Sequence, residues 1–409
     1  MKVNTQRFID RYIGTIICRI FSLYYRIFGK ESKPVEIQKI LIILLSEMGA
    51  LVLAYPMFQR LKEKFPEAAL HVMVFNKNRE VVDLLGVVPS QNILTIDDKS
   101  MSAFIRDTAG ALISMRKIKF DAVIDCELFS RISSILAFLS GSSLRVGFHP
   151  HTQEGLYRGN FINRSVLYNP YYHISRQFLT LVEAIDSDSQ PKAKGRIPNE
   201  TLPIPTIDVG QKEIEKAKKH LYDSARGIEG KKIVLIYPGG GLLPIRAWPL
   251  DYYCRLTAEL LHFGYAVCII GLADDKDVAN TILSQNRNPS CVELTGYTKT
   301  IRELMTIFHF SSLLITNDGG PGHFAAMTPI PTIIFYGPET PILYGTMNEN
   351  AVNYHLEFSC SPCVTAYNHR KSPCDGNNLC LKAIRPDDVL TKALEILEGP
   401  KVQGSEVQG

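Results

Sequence analysis

Three junctions and one cluster of thiols hold the residue types in this 409-residue chain that can do chemistry. The first junction, Ser46-Glu47-Met48-Gly49-Ala50, follows the apolar run Ile40–Leu45 and offers a single carboxylate, Glu47. The second is Tyr237-Pro238-Gly239-Gly240-Gly241, followed by Arg246-Ala247-Trp248-Pro249. The third, Thr316-Asn317-Asp318-Gly319-Gly320-Pro321-Gly322-His323, ends one apolar run and opens a helix-like one. Small residues let a backbone approach a ligand closely. Free N–H groups and the dipole at a helix start favour an anion such as a diphosphate. A single glycine turn of this kind equally serves a tight bend; two on one sheet favour the ligand. Cys360, Cys363, Cys374 and Cys380 fall within 21 residues. Four loop thiols, one pair spaced x2, are the donor set of a tetrahedral structural zinc. The x5 spacing of the second pair is outside the common range, so disulfides and reduced loop-packing thiols stand as alternatives. With no open ligand position to suggest catalysis, the cluster is expected to pin a loop rather than to react.

Elements must carry these junctions, and composition says there is chain enough for them. Hydrophobic residues make up 45% and charged residues 21%, which suits two packed domains and excludes disordered, fibrous and disulfide-stapled classes. The other five cysteines (Cys18, Cys126, Cys254, Cys268, Cys291) are scattered singly, as small core hydrophobes of a reducing compartment are. Strands are expected at Ile40–Leu45, Leu70–Phe75, Ile93–Ile96, Ala122–Asp125 and Leu144–Phe148, with helices between them at Leu51–Lys64, Arg79–Leu85, Ser102–Lys117 and Arg131–Leu139. Residues 187–209 contain Pro191, Pro198, Pro203 and Pro205 among polar residues and read as a linker. The alternation restarts with strands at Ile233–Tyr237, Ala266–Gly271, Val292–Leu294, Leu313–Thr316 and Thr332–Phe335. Strand alternating with helix predicts an α/β chain with two Rossmann-like, doubly wound domains, 35–190 and 205–398. A ligand cleft is expected between them, which is the GT-B architecture, although two-domain binding proteins share the pattern.

Net charge is +4, but residues 1–33 alone hold seven basic and two acidic residues, leaving the remainder at −1. Apolar residues there (Phe8, Ile9, Tyr12, Ile13, Ile16, Ile17, Ile20, Phe21, Tyr24, Ile27, Phe28) recur at helical spacing. Asp10, Arg11, Arg19 and Arg26 interrupt the run, which argues against a spanning helix and a cleaved signal peptide. An amphipathic helix lying on an anionic membrane through residues 7–28 is expected; a helix packed on the protein's own body or a partner subunit is the alternative. Nucleic acid is not an expected partner, because the basic residues sit on this apolar-striped helix.

The junctions resemble those of family 9 glycosyltransferases, the group that includes the bacterial lipopolysaccharide heptosyltransferases. Ile40–Pro56 with Leu61–Pro66 is similar to the family's opening strand, turn and "P…L…FP" helix. Pro238-Gly239-Gly240 with Arg246 and Trp248-Pro249 resembles "PG…K-x-WP". Thr316–Ala326 resembles "x-N-D-T-G-P-x-H-L-A-A", and Tyr336–Pro341 resembles "FGPTDP". The resemblance spans roughly residues 37–395. It implies a GT-B fold, a nucleotide-sugar donor, an inverting mechanism with no cofactor required for catalysis, and a lipopolysaccharide-type or other lipid-linked acceptor. The enzyme is then expected peripherally on the cytoplasmic face of the inner membrane. Carried onto this chain, Gly239, Gly240, Arg246, Asp318, Gly319, Gly320, Pro321, Gly322 and His323 would bind the donor. Arg246 stands for the family's basic residue and Gly319 for its threonine. Asp318 either touches ligand or caps the helix, and His323 either donates to phosphate or bonds to backbone. Asp274, after the strand ending at Gly271, either accepts from donor ribose hydroxyls or is a solvated helix-start acid. The family's general base follows the glycine of the first junction, where this chain has Ala50. Glu47 is the expected replacement, with Asp125 or Glu127 as alternatives. Loss of the base would instead leave a non-catalytic nucleotide-sugar or glycan binder that scaffolds a biosynthetic complex. A dinucleotide oxidoreductase ranks lower, since neither half carries G-x-G-x-x-G with a following acidic residue.

Overall fold

A computed structural model describes residues 3–29, 36–128, 130–149, 157–189, 191–194, 202–241, 243–365 and 371–399. The chain forms two compact units, residues 1–205 with 365–371, and 206–364 with 372–409. In the first unit, six strands run β1 (Lys39–Ile43), β2 (Ala69–Phe75), β3 (Ile93–Ile96), β4 (Ala122–Asp125), β5 (Leu144–Phe148) and β6 (Arg164–Val166). They pair in parallel in the order β3-β2-β1-β4-β5-β6. The second unit repeats this plan with β7 (Ile233–Tyr237), β8 (Ala266–Gly271), β9 (Cys291–Thr295), β10 (Leu313–Asn317), β11 (Thr332–Tyr336) and β12 (Ala351–His355). Its order is β12-β11-β10-β7-β8-β9, again all parallel. Central strands such as β1 and β7 are almost wholly apolar and buried, as a sheet covered on both faces requires.

Both sheets therefore have the doubly wound order expected of a Rossmann-like domain. Three details differ from the sequence reading. The helix expected over Leu51–Lys64 is two helices, Met48–Leu53 and Tyr55–Lys64, because Pro56 cannot donate within a helix and takes a first-turn position. The edge strands β6 and β12 are short and half-exposed, so neither carries an apolar signal. The helix Ile174–Glu183 had a legible signal, with Ile174, Phe178, Leu181 and Val182 at helical spacing and buried.

The N-terminal arm is helical through Val3–Ile9 and Thr15–Phe28, joined by a single wide π-helical turn, Asp10–Gly14. It does not carry one apolar stripe. The small residues Gly14, Cys18 and Ser22 face the first unit's core. Small side chains let the helix approach closely; Ile17 packs on the first unit's core, Phe21 against Phe138 and Phe161, and Tyr25 against Phe138. The Ser22 hydroxyl accepts from Tyr157 Oη at 2.6 Å and Asn160 N at 2.8 Å. On the opposite side Phe8, Tyr12, Ile13, Ile16, Ile20, Leu23, Tyr24, Ile27 and Phe28 are each more than half exposed. Arg7, Arg11, Arg19 and Arg26 are exposed as well. Among the described residues no helix is long and apolar enough to cross a membrane.

Candidate active site

In a doubly wound sheet, ligands bind beyond the carboxyl ends of the strands where the winding reverses direction. That point lies between β1 and β4 in the first unit and between β7 and β10 in the second. The first and third junctions follow β1 and β10, and the second follows β7. All three sequence-derived junctions thus sit at the two reversal points.

In the first unit, the segment after β4 reaches under the turn after β1. Glu127 is buried, and its Oε1 accepts from Leu45 N at 2.7 Å and from Ser46 N at 3.0 Å. Ser46 Oγ donates to the same carboxylate at 3.1 Å. The Leu45 carbonyl is held from the other side by Asn78 Nδ2 at 2.6 Å and Phe75 N at 3.1 Å. The peptide leading into Glu47 is therefore clamped on both edges. Glu47 itself is half-exposed at the start of helix Met48–Leu53. Asp125 is completely buried; one of its oxygens accepts from the Arg158 guanidinium and the other from Glu127 N at 3.1 Å. A carboxylate so enclosed has no route to a substrate, which removes Asp125 as a base. Arg158, also buried, bonds further to the Glu127 carbonyl, to Ser130 O at 2.8 Å and to Ser133 Oγ at 2.9 Å.

Burial pushes the Glu127 carboxyl up to about 7, and the neighbouring Glu47 and Asp125 charges push in the same direction. The folded state then binds this proton more tightly than the unfolded chain. Its contribution to stability is present below pH 4.5 and is lost as pH rises toward 7, by about 3 kcal/mol. His149 has the opposite sign: burial and then the Arg158 charge lower it to about 4, so its contribution is lost as pH falls below 6.5. The two nearly cancel in the wild type. Subtracting the wild-type unfolding free energy from that of Glu127→Gln isolates the first. The difference is expected to grow in favour of the variant between pH 4.5 and 7 and then level off, measured by urea unfolding. A difference that stays constant across that range would refute the assignment.

In the second unit, the organising residue is Asn317, the fully buried last residue of β10. Its Oδ1 accepts from Trp248 N and from Tyr253 Oη, both at 2.9 Å. Its Nδ2 donates to Pro238 O at 3.0 Å and Gly239 O at 2.9 Å. One amide thus ties the second junction to the third. Trp248 is core rather than ligand surface: it stacks on Phe335 and donates Nε1–H to Ile384 O at 3.0 Å. Arg246 Nη2 lies 2.5 Å from Glu339 Oε2, and its Nε lies 3.6 Å from Asp318 Oδ2, with both carboxylates buried. The N-cap of helix Gly320–Ala325 is Gly319, and Asp318 faces Arg246. His323 is buried in that helix, and Pro321 occupies its first turn.

The glycines divide by what surrounds them. A Cβ on Gly239 would lie 2.8 Å from Asp275 Oδ1, one on Gly240 2.8 Å from Leu243 O, and one on Gly322 2.8 Å from Ile334 Cδ1. Gly240 is required by packing, because its neighbours are backbone atoms, whereas at Gly239 and Gly322 the nearest atoms are side-chain ends. At Gly319 the nearest atom is Asn317 O at 4.0 Å, and at Gly320 it is a Phe324 ring carbon at 3.4 Å. Gly241 in the second junction is similarly open, with Tyr237 Oη the nearest atom at 4.0 Å. Asp274 is exposed in a 3-10 turn after β8, whereas its neighbour Asp275 accepts from Leu272 N at 2.8 Å and braces Gly239 and Gly271.

Sequence reasoning missed Asn317 and Glu339 as site residues. Both lie inside motifs already singled out. Glu339 stands where the "FGPTDP" pattern has threonine, so the carboxylate is displaced by one position along the chain. Arg246 selects it by contact, which no spacing rule reports.

None of the four cysteines forms a disulfide among the described residues. Cys363 Sγ is 3.1 Å from Ser372 Oγ, and Cys374 Sγ turns to Asp375 and Asn378. Cys380 is buried against Gly337. Among the described residues no three His, Cys, Asp or Glu side chains converge to hold a metal ion. Between Cys360 and Cys374 the loop is held by Cys363 N and Val364 N, both donating to Pro338 O.

Two doubly wound parallel sheets, each with its polar junctions at the reversal point, are the architecture of a GT-B glycosyltransferase. The chain belongs to glycosyltransferase family 9 (heptosyltransferase), whose model matches residues 112–372. It is 24% identical over 325 residues to lipooligosaccharide heptosyltransferase 2 of Haemophilus ducreyi, covering 78% of this chain and 88% of that protein. It is 26% identical over 328 residues to the Haemophilus influenzae protein of the same name, with the same coverage of each. In fold it is similar to ADP-heptose lps heptosyltransferase II of Escherichia coli, at 21% identity and TM-score 0.69, covering 88% of this chain and 99% of that one.

Proposed function

We propose that this glycosyltransferase moves a sugar, heptose or another, from a nucleotide-sugar donor to a lipopolysaccharide-type or other lipid-linked glycan, with inversion at the anomeric carbon. The observation that carries the reading is the clamped turn after β1. With no carboxylate at Ala50, the chain presents Glu47 on a peptide fixed from both sides by Glu127 and Asn78. In the reaction, the acceptor hydroxyl attacks the anomeric carbon as the bond to the donor's diphosphate oxygen breaks. Its proton passes to Glu47, and the nucleoside diphosphate leaves with the bonding electrons. Charge developing on that diphosphate is met by the backbone N–H groups at Gly319–Gly320, with Pro321, Gly322 and His323 shaping the helix start. Arg246 adds its fixed fork of donors, whose plane Glu339 and Asp318 preset. In this reading Asp274 accepts from the donor's ribose hydroxyls.

Turnover of purified protein against ADP-heptose and UDP-, GDP- and dTDP-sugars, with membrane glycolipid extract as acceptor source, tests this directly. Nucleotide release that requires both donor and extract supports it. No release with any donor, accompanied by a donor-dependent rise in melting temperature, would favour a nucleotide-sugar-binding scaffold, the reading that Ala50 supports.

The arm supports a peripheral location on the cytoplasmic face of the inner membrane. Its inner face is spent on the protein body, yet its outer face remains apolar with arginines beside it. Such a helix lies in the headgroup layer of an anionic bilayer. Co-sedimentation with phosphatidylglycerol vesicles is expected, with little on phosphatidylcholine. The triple variant Ile16→Ser, Ile20→Ser, Ile27→Ser is expected to bind about 100-fold more weakly, from roughly 1 kcal/mol per partly exposed isoleucine. Equal binding by the variant would refute membrane insertion by that face.

A further inference from the structure

The wide turn Asp10–Gly14 does something that membrane binding does not require. It places Asp10 and Gly14 together against Arg131, the first residue of helix Arg131–Leu139. Asp10 Oδ1 accepts from Arg131 N at 2.8 Å and from Ile132 N at 2.9 Å, and its Oδ2 lies 3.3 Å from Arg131 Nη1. A Cβ on Gly14 would stand 3.0 Å from Arg131 Cβ, so the contact is closed. The helix's own cap is weak, with Ser130 Oγ accepting from Ser133 N at 3.4 Å. Two of the amides that an N-terminus leaves unsatisfied are therefore met from the arm. π-helical turns of this kind are frequently functional.

Contacts continue without a break from there to the site. Ser130 O and Ser133 Oγ bond to Arg158, and Arg158 bonds to the Glu127 carbonyl and the Asp125 carboxylate. Glu127 then holds Leu45 N and Ser46 N, next to Glu47. We propose that Asp10 is a positioning residue for the catalytic turn: the arm, besides facing the membrane, sets the helix start on which the Arg158–Glu127 clamp rests. Its catalytic meaning rests on the assignment of Glu47 given above; its structural part does not.

Hydrogen exchange of the full-length chain separates these. In Asp10→Ala, exchange of the Leu45 and Ser46 amides is expected to accelerate about ten-fold, the equivalent of losing one N-cap. Amides of β7 in the other unit serve as the unchanged reference. Asp10→Asn keeps the oxygen that accepts from Arg131 N and Ile132 N, so it is expected to restore most of the protection. The outer-face triple variant is expected to leave it intact while losing vesicle binding. With a delipidated, soluble acceptor, kcat of Asp10→Ala is expected to fall about ten-fold with donor KM unchanged, in line with the same loss of order. Acceleration confined to residues 131–133, with Leu45 and Ser46 as protected as in the wild type, would reduce Asp10 to a local cap and overturn the proposal. Accelerated exchange at Leu45 and Ser46 with wild-type kcat would leave the link from the arm standing and overturn Glu47 as base.

Discussion

Glu47→Gln is expected to lower kcat by about 10²- to 10⁴-fold, the range a general base contributes, with the donor's KM and the melting temperature unchanged. Glutamine keeps the side chain's length and its carbonyl acceptor but cannot take the acceptor's proton. Glu47 is half-exposed at the start of its helix, and glutamine keeps its size and hydrogen-bonding reach, so stability is expected to change little. Glu127→Gln provides the contrast. Its amide oxygen can still accept from Leu45 N and Ser46 N, so the turn should hold and turnover should fall far less. If the order is reversed, with Glu127→Gln inactive and Glu47→Gln near normal, the base is Glu127 and Glu47 is a surface residue of the turn. Single-turnover measurements with a saturating donor separate the chemical step from product release.

Arg158→Met is expected to be the most destabilising single change in the first unit, by about 3–5 kcal/mol. Arg158 is 1% exposed and Asp125 is completely buried, so removing the guanidinium strands a carboxylate in the core. It also frees the Ser130 and Glu127 carbonyls from their donor. For a unit of this size the melting temperature should fall on the order of 10 °C. The companion variant Asp125→Val with Arg158→Met tests the cause. Replacing both partners by apolar groups removes the stranded charge, and most of the lost stability should return. A double variant as unstable as the single one would mean that the carbonyl contacts of Arg158, not its ion pair, supply the stability.

The extent to which the site was legible varies with the range of the interaction. The first, second and third junctions were readable because each is a local chemical statement: an apolar run, small residues, then a helix. The alternation of such runs also predicted two doubly wound sheets, and β3, β4, β5, β7 and β8 match the expected spans residue for residue. Short edge strands escaped because three to five half-exposed residues carry no periodicity that distinguishes them from loop. The roles of polar residues were less readable. Asp318 faces Arg246, Gly240 is a glycine for the sake of the Leu243–Pro244 backbone packed on it, and Trp248 is core.

By itself, then, the sequence determined the class of fold, the family resemblance and the positions along the chain where ligands would be met. These depend on periodicity and on short motifs, which act over a few residues. Only the tertiary structure decided which side chains act together. Glu127 lies 82 residues from Leu45, and Asp10 lies 121 residues from Arg131, yet each pair is a hydrogen bond. It also split the arm into a docked face lined by Gly14, Cys18 and Ser22 and an exposed apolar face. A helix period shows that a residue recurs on a face; what covers that face depends on the chain that packs there.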